Sequence, residues 1–181
     1  KYEKTGQNEN ILYVRSVENN AVKFFNIVYV YSIVRRYIKY YMKIFRSYFY
    51  FNTMHNLVHG KIKVINKKNV KIGSGCSINE GVLIQGDCGV VIGNNVVLST
   101  GVMILDAGLN FDMLTHQCKR VHVGNKTFIG NNNWIAAGAI ILPGVILGDN
   151  ILVGAGSVVT KSFDSNCVIA GNPAKLIRKL N

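Results

Sequence analysis

Residues 123–159 read VGNKTF IGNNNW IAAGAI ILPGVI LGDNIL VGAGSV V, and this stretch decides the fold. Cut every six residues, it opens each time on an aliphatic side chain: Val123, Ile129, Ile135, Ile141, Leu147, Val153 and Val159. The second position is often glycine, as at Gly124, Gly130, Gly148 and Gly154. The fifth is small or β-branched, as at Thr127, Ala139, Val145 and Ser157. Such a fixed period is the mark of a solenoid, each hexad supplying a short strand and a turn. The opener points into the coil, and glycine serves where the backbone turns with positive φ or another segment comes close. Three hexads close one triangular coil, and coils stack at about the 4.8 Å strand spacing. The fold class expected is all-β, a parallel β-helix. A sandwich of short strands would show longer alternating runs and more varied turn spacing.

Upstream, the same register returns at Ile72, Ile78 and Ile84, and again at Ile92, Leu98 and Ile104. Hexads opening between 72 and 153 make about four coils, so the β-helix is expected over roughly residues 62–160. Two interruptions break the register. Ile84 to Ile92 is eight residues, a minor bulge, whereas Ile104 to Val123 is nineteen. A long excursion from a regular scaffold is where function concentrates. Residues 105–122 hold His116, His122, Asp106, Asp112 and Cys118. Imidazole titrates near neutral pH, so either histidine suits a general base. Asp106 or Asp112 suits a carboxylate that orients it, or equally one that caps a turn. His55 and His59 lie at the start of the repeat and read as structural or solvated.

Composition narrows the function classes. The chain has 181 residues, 21 Lys+Arg against 9 Asp+Glu, and a net charge of +12. Hydrophobic content of 49% and a mean hydropathy of +0.19 exclude a disordered chain. Only 2 Pro exclude a collagen-like or Pro-rich repeat. Cys76, Cys88, Cys118 and Cys167 are widely spaced, with no CxxC pair. That is neither a zinc site nor a dense disulfide framework; it fits buried thiols in a reducing compartment, and no metal is demanded. No signal-peptide pattern is visible in the first 20 residues, and the longest nearly apolar run, Phe24 to Val34, is short of a bilayer span.

Residues 21–51 have a different grammar. They contain no Gly or Pro, 12 of the 18 aromatics, and six positive charges with no acidic one. The expectation is a helical appendage within an N-terminal region 1–59, followed by a repeat domain 60–181. Its apolar side packs on the rest of the protein or a partner subunit, or lies on an anionic membrane surface. Nucleic acid is not expected, since the aromatics cluster too densely for isolated stacking platforms.

Three C-terminal stretches carry a family resemblance: ILPGVILG at 141–148, VGAGSVVTK at 153–161 and AGNPAKLIR at 170–178. They resemble the hexapeptide-repeat acyltransferases, in particular the maltose, galactoside and polysaccharide O-acetyltransferases, over about residues 60–181. The resemblance implies a left-handed coil, a homotrimer, and acetyl-coenzyme A (acetyl-CoA) as acyl donor. It also implies a histidine base, yet the place where many relatives carry it falls at Leu109. Other relatives have a histidine near the end of the excursion, a position matched here by His122, with His116 as the reserve. Trp134, Ala137, Ala155, Thr160, Lys161 and Arg178 match positions that line the pantetheine arm or reach phosphate in relatives. The function implied is a cytoplasmic O-acetyltransferase, with possible peripheral contact at the inner membrane face, acting on a sugar or polysaccharide precursor. N-acetylation of an amino-sugar nucleotide, or a non-catalytic β-helix scaffold, stays open beside it.

Overall fold

In a computed structural model of the chain, residues 6–117 and 119–180 are described, with side chains from Ile27 onward. The chain divides into two compact units, Lys1–Met42 and Lys43–Asn181. The first unit is helical: α1 (Gly6–Phe51) fills its described part and continues into the second. No Gly or Pro follows Gly6 within α1, so nothing in it interrupts the backbone ladder. Between Ile27 and Met42 every side chain is exposed except Ile33, which is half-buried. Among the described residues no helix is long and apolar enough to cross a membrane.

The second unit is the expected parallel β-helix. Its first coil is β1 (Leu57–Val58), β2 (Lys63–Ile65) and β3 (Val70–Ile72); its second is β4 (Ser77–Ile78), β5 (Leu83–Gln85) and β6 (Val90–Ile92). The third begins with β7 (Val97–Leu98) and β8 (Met103–Ile104). It then leaves the coil through β9 (Ala107–Leu109), α2 (Phe111–Gln117) and β10 (His122–Gly124), and returns at β11 (Thr127–Ile129). β12 (Trp134–Ile135), β13 (Ile140–Ile141) and β14 (Ile146–Leu147) form the fourth. β15 (Ile151–Val153), β16 (Val158–Val159) and a bridge from Phe163 to Leu147 form the fifth. β17 (Cys167–Gly171) opens one more turn, and β18 (Ala174–Lys179) folds back antiparallel on it.

Each of the first four coils contributes one strand to each of three parallel sheets, and the fifth adds a strand to the first two and a bridge to the third. In the first sheet Val58, Ile78, Leu98, Ile135, Val153 and Ile169 stand in register as one buried column. In the second sheet Val64, Ile84, Ile104, Ile141 and Val159 stack in register, all buried but the half-buried Val64. The core is therefore the inside of the coil, filled by hexad openers.

The repeat begins earlier than expected: five coils run from Leu57 rather than about four from 62. The first coil is masked in sequence because its step from Val64 to Ile72 is eight residues. The second coil repeats that eight-residue step at Ile84 to Ile92, so the bulge is a wide corner between the second and third sheets. The excursion grows from the same corner one coil later. A second correction concerns Val123. It keeps hexad spacing but is 47% exposed in β10, outside the coil, and the repeat resumes only at Ile129.

The corner between the third and first sheets is held by asparagines. Asn95, Asn132, Asn150 and Asn166 all have φ of 55–61°, where Asn is tolerated better than most residues. Their amides form a ladder, each Nδ2 donating to the next Oδ1 at 3.2, 3.1 and 2.9 Å. Just before them, the hexad glycines serve close approach. A Cβ on Gly130 would lie 2.6 Å from the Gly148 carbonyl oxygen.

Candidate active site

The excursion is a rooted antiparallel hairpin tipped by a short helix. β9 and β10 pair with Ala107 opposite Gly124, Gly108 opposite Val123, and Leu109 opposite His122. The Asn110 N–H donates to the Val121 carbonyl at 2.8 Å, extending the neck, and Asn110 Oδ1 accepts from the Met113 N–H at 3.0 Å to cap α2. His116 and Asp112 lie one turn apart on α2, both exposed. Cys118 lies outside the described residues.

His122 is exposed on β10 and directly opposite Leu109. Facing residues of an antiparallel pair project to the same side of the ribbon, with Cβ atoms about 4.5–5.5 Å apart. The imidazole of His122 thus rises beside the position that family resemblance assigned to the histidine of many relatives. Nothing in the local sequence signals this, because thirteen positions separate the two residues and only the hairpin register brings them together.

Asp106, weighed as an imidazole partner, is placed elsewhere. It is 0% exposed, and its carboxylate accepts backbone N–H bonds from Asp87 at 3.1 Å, Cys88 at 2.7 Å and Gly89 at 2.5 Å. It therefore fastens the wide corner of the second coil to the foot of the hairpin. Thr127 fastens the returning end, its hydroxyl donating to the Leu105 carbonyl at 2.9 Å. These two buried side chains fix where β9 departs and β11 resumes.

The coenzyme candidates fall into three places. Ala137 and Ala155 are exposed and stacked on neighbouring coils, joined by the Gly156 N–H donating to the Ala137 carbonyl at 2.9 Å. The corner above them is open: a Cβ on Gly138 or Gly156 would meet nothing within 4 Å. Trp134 stands beside this corner on the first sheet, 49% exposed, its indole N–H donating to Ser99 Oγ at 3.0 Å. Thr160 and Lys161 sit at the next corner, after β16, with Lys161 Nζ 5.7 Å from the Phe163 ring centroid. Arg178 is exposed on β18, opposite Val168. A groove of about 770 Å³ is lined by Lys161, Phe163, Leu176 and Lys179 among others, but by none of the other five candidates. An open, small-residue corner has room for an extended pantetheine arm, and the exposed cations at the other two places have the charge that a phosphorylated nucleotide calls for.

Other titratable groups read as structural. The ring of His59 lies 3.0 Å from Ser77 Oγ, and burial, then the Lys43 charge, lower its pKa below the ordinary 6.5. Burial raises the thiols of Cys76 and Cys167. Cys88, expected buried, is exposed on the corner that Asp106 holds.

Comparison with known proteins agrees with the repeat and the fold. The family described as bacterial transferase hexapeptide (six repeats) matches residues 126–161. A galactoside O-acetyltransferase of Escherichia coli (strain K12) is 38% identical over 121 residues, 62% of this chain and 55% of the relative. The chain thus spans about half the length of that curated relative. A maltose O-acetyltransferase from Clostridium difficile 630 superposes with a TM-score of 0.65 at 35% identity, over 70% of this chain and 66% of that one. A galactoside acetyltransferase in complex with coenzyme A gives 0.61 at 31% identity, over the same shares. Superposition is sensitive to hand, so this coil winds in the same sense as theirs.

Proposed function

We propose that this chain, whose repeat belongs to the bacterial transferase hexapeptide family, is an acetyl-CoA-dependent O-acetyltransferase acting on a hydroxyl of a sugar or polysaccharide precursor. One observation carries the reading: the hairpin register that sets an exposed His122 opposite Leu109. Acetyl-CoA, when bound, supplies the activated acyl group as a thioester. The neutral imidazole of His122 accepts the proton of the acceptor hydroxyl as its oxygen attacks the carbonyl. The imidazolium then returns that proton to the departing thiolate, so no covalent enzyme intermediate is needed. Trp134, Ala137 and Ala155 line the donor's arm; Lys161 and Arg178 meet its phosphates. The rooted hairpin keeps the imidazole in place, and holding both reactants there removes much of the entropic barrier.

The test measures acetyl transfer to sugar acceptors, with products identified by mass spectrometry. His122→Ala should lower kcat by about 10²-fold or more with coenzyme affinity retained. His116→Ala, on the exposed helical tip, should do less. Wild-type turnover in both single variants and in the double variant would remove the imidazole base. Full-strength coenzyme binding without transfer to any hydroxyl or amine would favour the scaffold reading.

A further inference from the structure

The described part of α1 carries a stripe that this chain leaves bare. Ile27, Val30, Val34, Tyr37, Tyr41 and Phe45 recur every three or four residues, so they lie along one face, and all six are exposed. Arg35, Arg36, Lys39, Lys43 and Arg46 fall on the opposite face, and α1 has no acidic residue from Ile27 onward. The positive run continues past the helix. Lys61, Lys63, Lys67, Lys68 and Lys71 are all exposed on the first coil, and no Asp or Glu occurs between Ile27 and Asn79. Lys67 Nζ lies 5.7 Å from the Phe49 ring centroid, so the first coil's basic corner adjoins the last turns of α1. Ten of the chain's cations, with no anion among them, thus stand in one segment of a protein whose net charge is +12.

We infer that α1 from Ile27 to Met42 is a docking surface for an anionic lipid bilayer. The helix lies in the interface, its apolar stripe among the upper acyl chains and its cations among the headgroups. Charge complementarity selects this occupant. A bundle of copies would cover the stripe but leave the like charges of Arg35, Arg36 and Lys39 without partners, whereas an anionic bilayer uses both features. Tyrosine also suits the boundary, having an apolar ring and a polar tip. The inference is independent of the His122 reading, because its readout is lipid binding and not turnover.

The experiment is co-sedimentation of the full chain with vesicles of phosphatidylcholine alone and of phosphatidylcholine with phosphatidylglycerol. Binding is expected only to the second, and to weaken as salt screens the headgroups. Two double variants test the two faces: Tyr37→Glu with Tyr41→Glu for the stripe, and Arg35→Glu with Arg36→Glu for the cations. Each should weaken binding by about tenfold or more. Unchanged thermal unfolding of the β-helix shows that each variant is folded. If the wild type stays in the supernatant with both vesicles, the inference fails. It also fails if the stripe variant binds like wild type, since charge alone would then suffice for any polyanion. Loss of self-association in the stripe variant, with no vesicle binding by either protein, would assign the face to a second copy.

Discussion

At the scale of single residues, His122 keeps the exposed place that a base requires, whereas Asp106 takes the turn-bracing place and not the one beside an imidazole. Both sit in the one long break of the repeat, and nothing in the local sequence distinguishes a base from a brace. The distinction comes from burial and partners. His122 is exposed on a paired strand, whereas Asp106 is enclosed with three backbone N–H groups directed at its oxygens. Removing a buried acceptor leaves those donors unmet, at about 1–3 kcal/mol for each. Asp106→Ala should therefore lower stability by about 3 kcal/mol or more in chemical denaturation, with the midpoint falling accordingly. Asp106→Asn should do less harm, since it keeps one acceptor oxygen while turning an N–H toward an N–H. A structural brace and an imidazole partner part company in one measurement: kcat of the folded Asp106→Asn protein, assayed well below its unfolding midpoint. The brace predicts kcat within a few-fold of wild type, whereas loss of a triad-like carboxylate costs about 10⁴. A loss of that size in a stable protein would return Asp106 to the catalytic set.

At the scale of elements, the coil was legible from residue 72 because its openers recur every six residues between breaks, and illegible before it because the corner from Val64 to Ile72 is wider. Val123 misled for a related reason. A residue can keep six-residue spacing by count while the backbone leaves the coil, and only its pairing with Gly108 reveals the departure. The asparagine corner was visible as GNN, GNNN and GDN but is not a repeat of hydrophobicity, so periodicity passes over it. Its physics can be divided by substitution. Asn132 has φ of 55° and sits in the middle of the ladder, giving to Asn150 and accepting from Asn95. Asn132→Gly keeps the backbone angle and drops the amide; Asn132→Ala loses both. The left-handed region costs an alanine about 1–2 kcal/mol, and each ladder bond contributes about 0.5–1.5 kcal/mol. The alanine variant should be the less stable of the two by roughly 1 kcal/mol in urea denaturation. Equal midpoints would mean that the ladder alone, and not the backbone angle, is what asparagine supplies.

At the scale of the whole molecule, the coenzyme candidates are the most telling. Ala137 and Ala155 share a corner beside Trp134, Lys161 stands at the next corner, and Arg178 lies on the terminal strand. No single groove described on the chain joins them, which sequence resemblance could not report because it matches positions one at a time. A second copy that brought its own corner against Trp134 and Ala155 would convert an open surface into a cleft, and closed symmetry would repeat that cleft around a trimer. If so, binding and assembly are linked: anything that binds only the assembled form stabilises it. Sedimentation should give a trimer, and turnover per chain should fall on dilution as it dissociates, with added coenzyme A opposing the loss. Lys161→Ala and Arg178→Ala should weaken coenzyme binding by about tenfold or more, since charge-assisted contacts to phosphate contribute about 1.5–3 kcal/mol. They should leave the unfolding midpoint of the coenzyme-free protein unchanged, both side chains being exposed. A monomer with undiminished turnover would place the whole donor site on one chain. An unchanged dissociation constant in both variants would instead give these cations to the protein's general positive field.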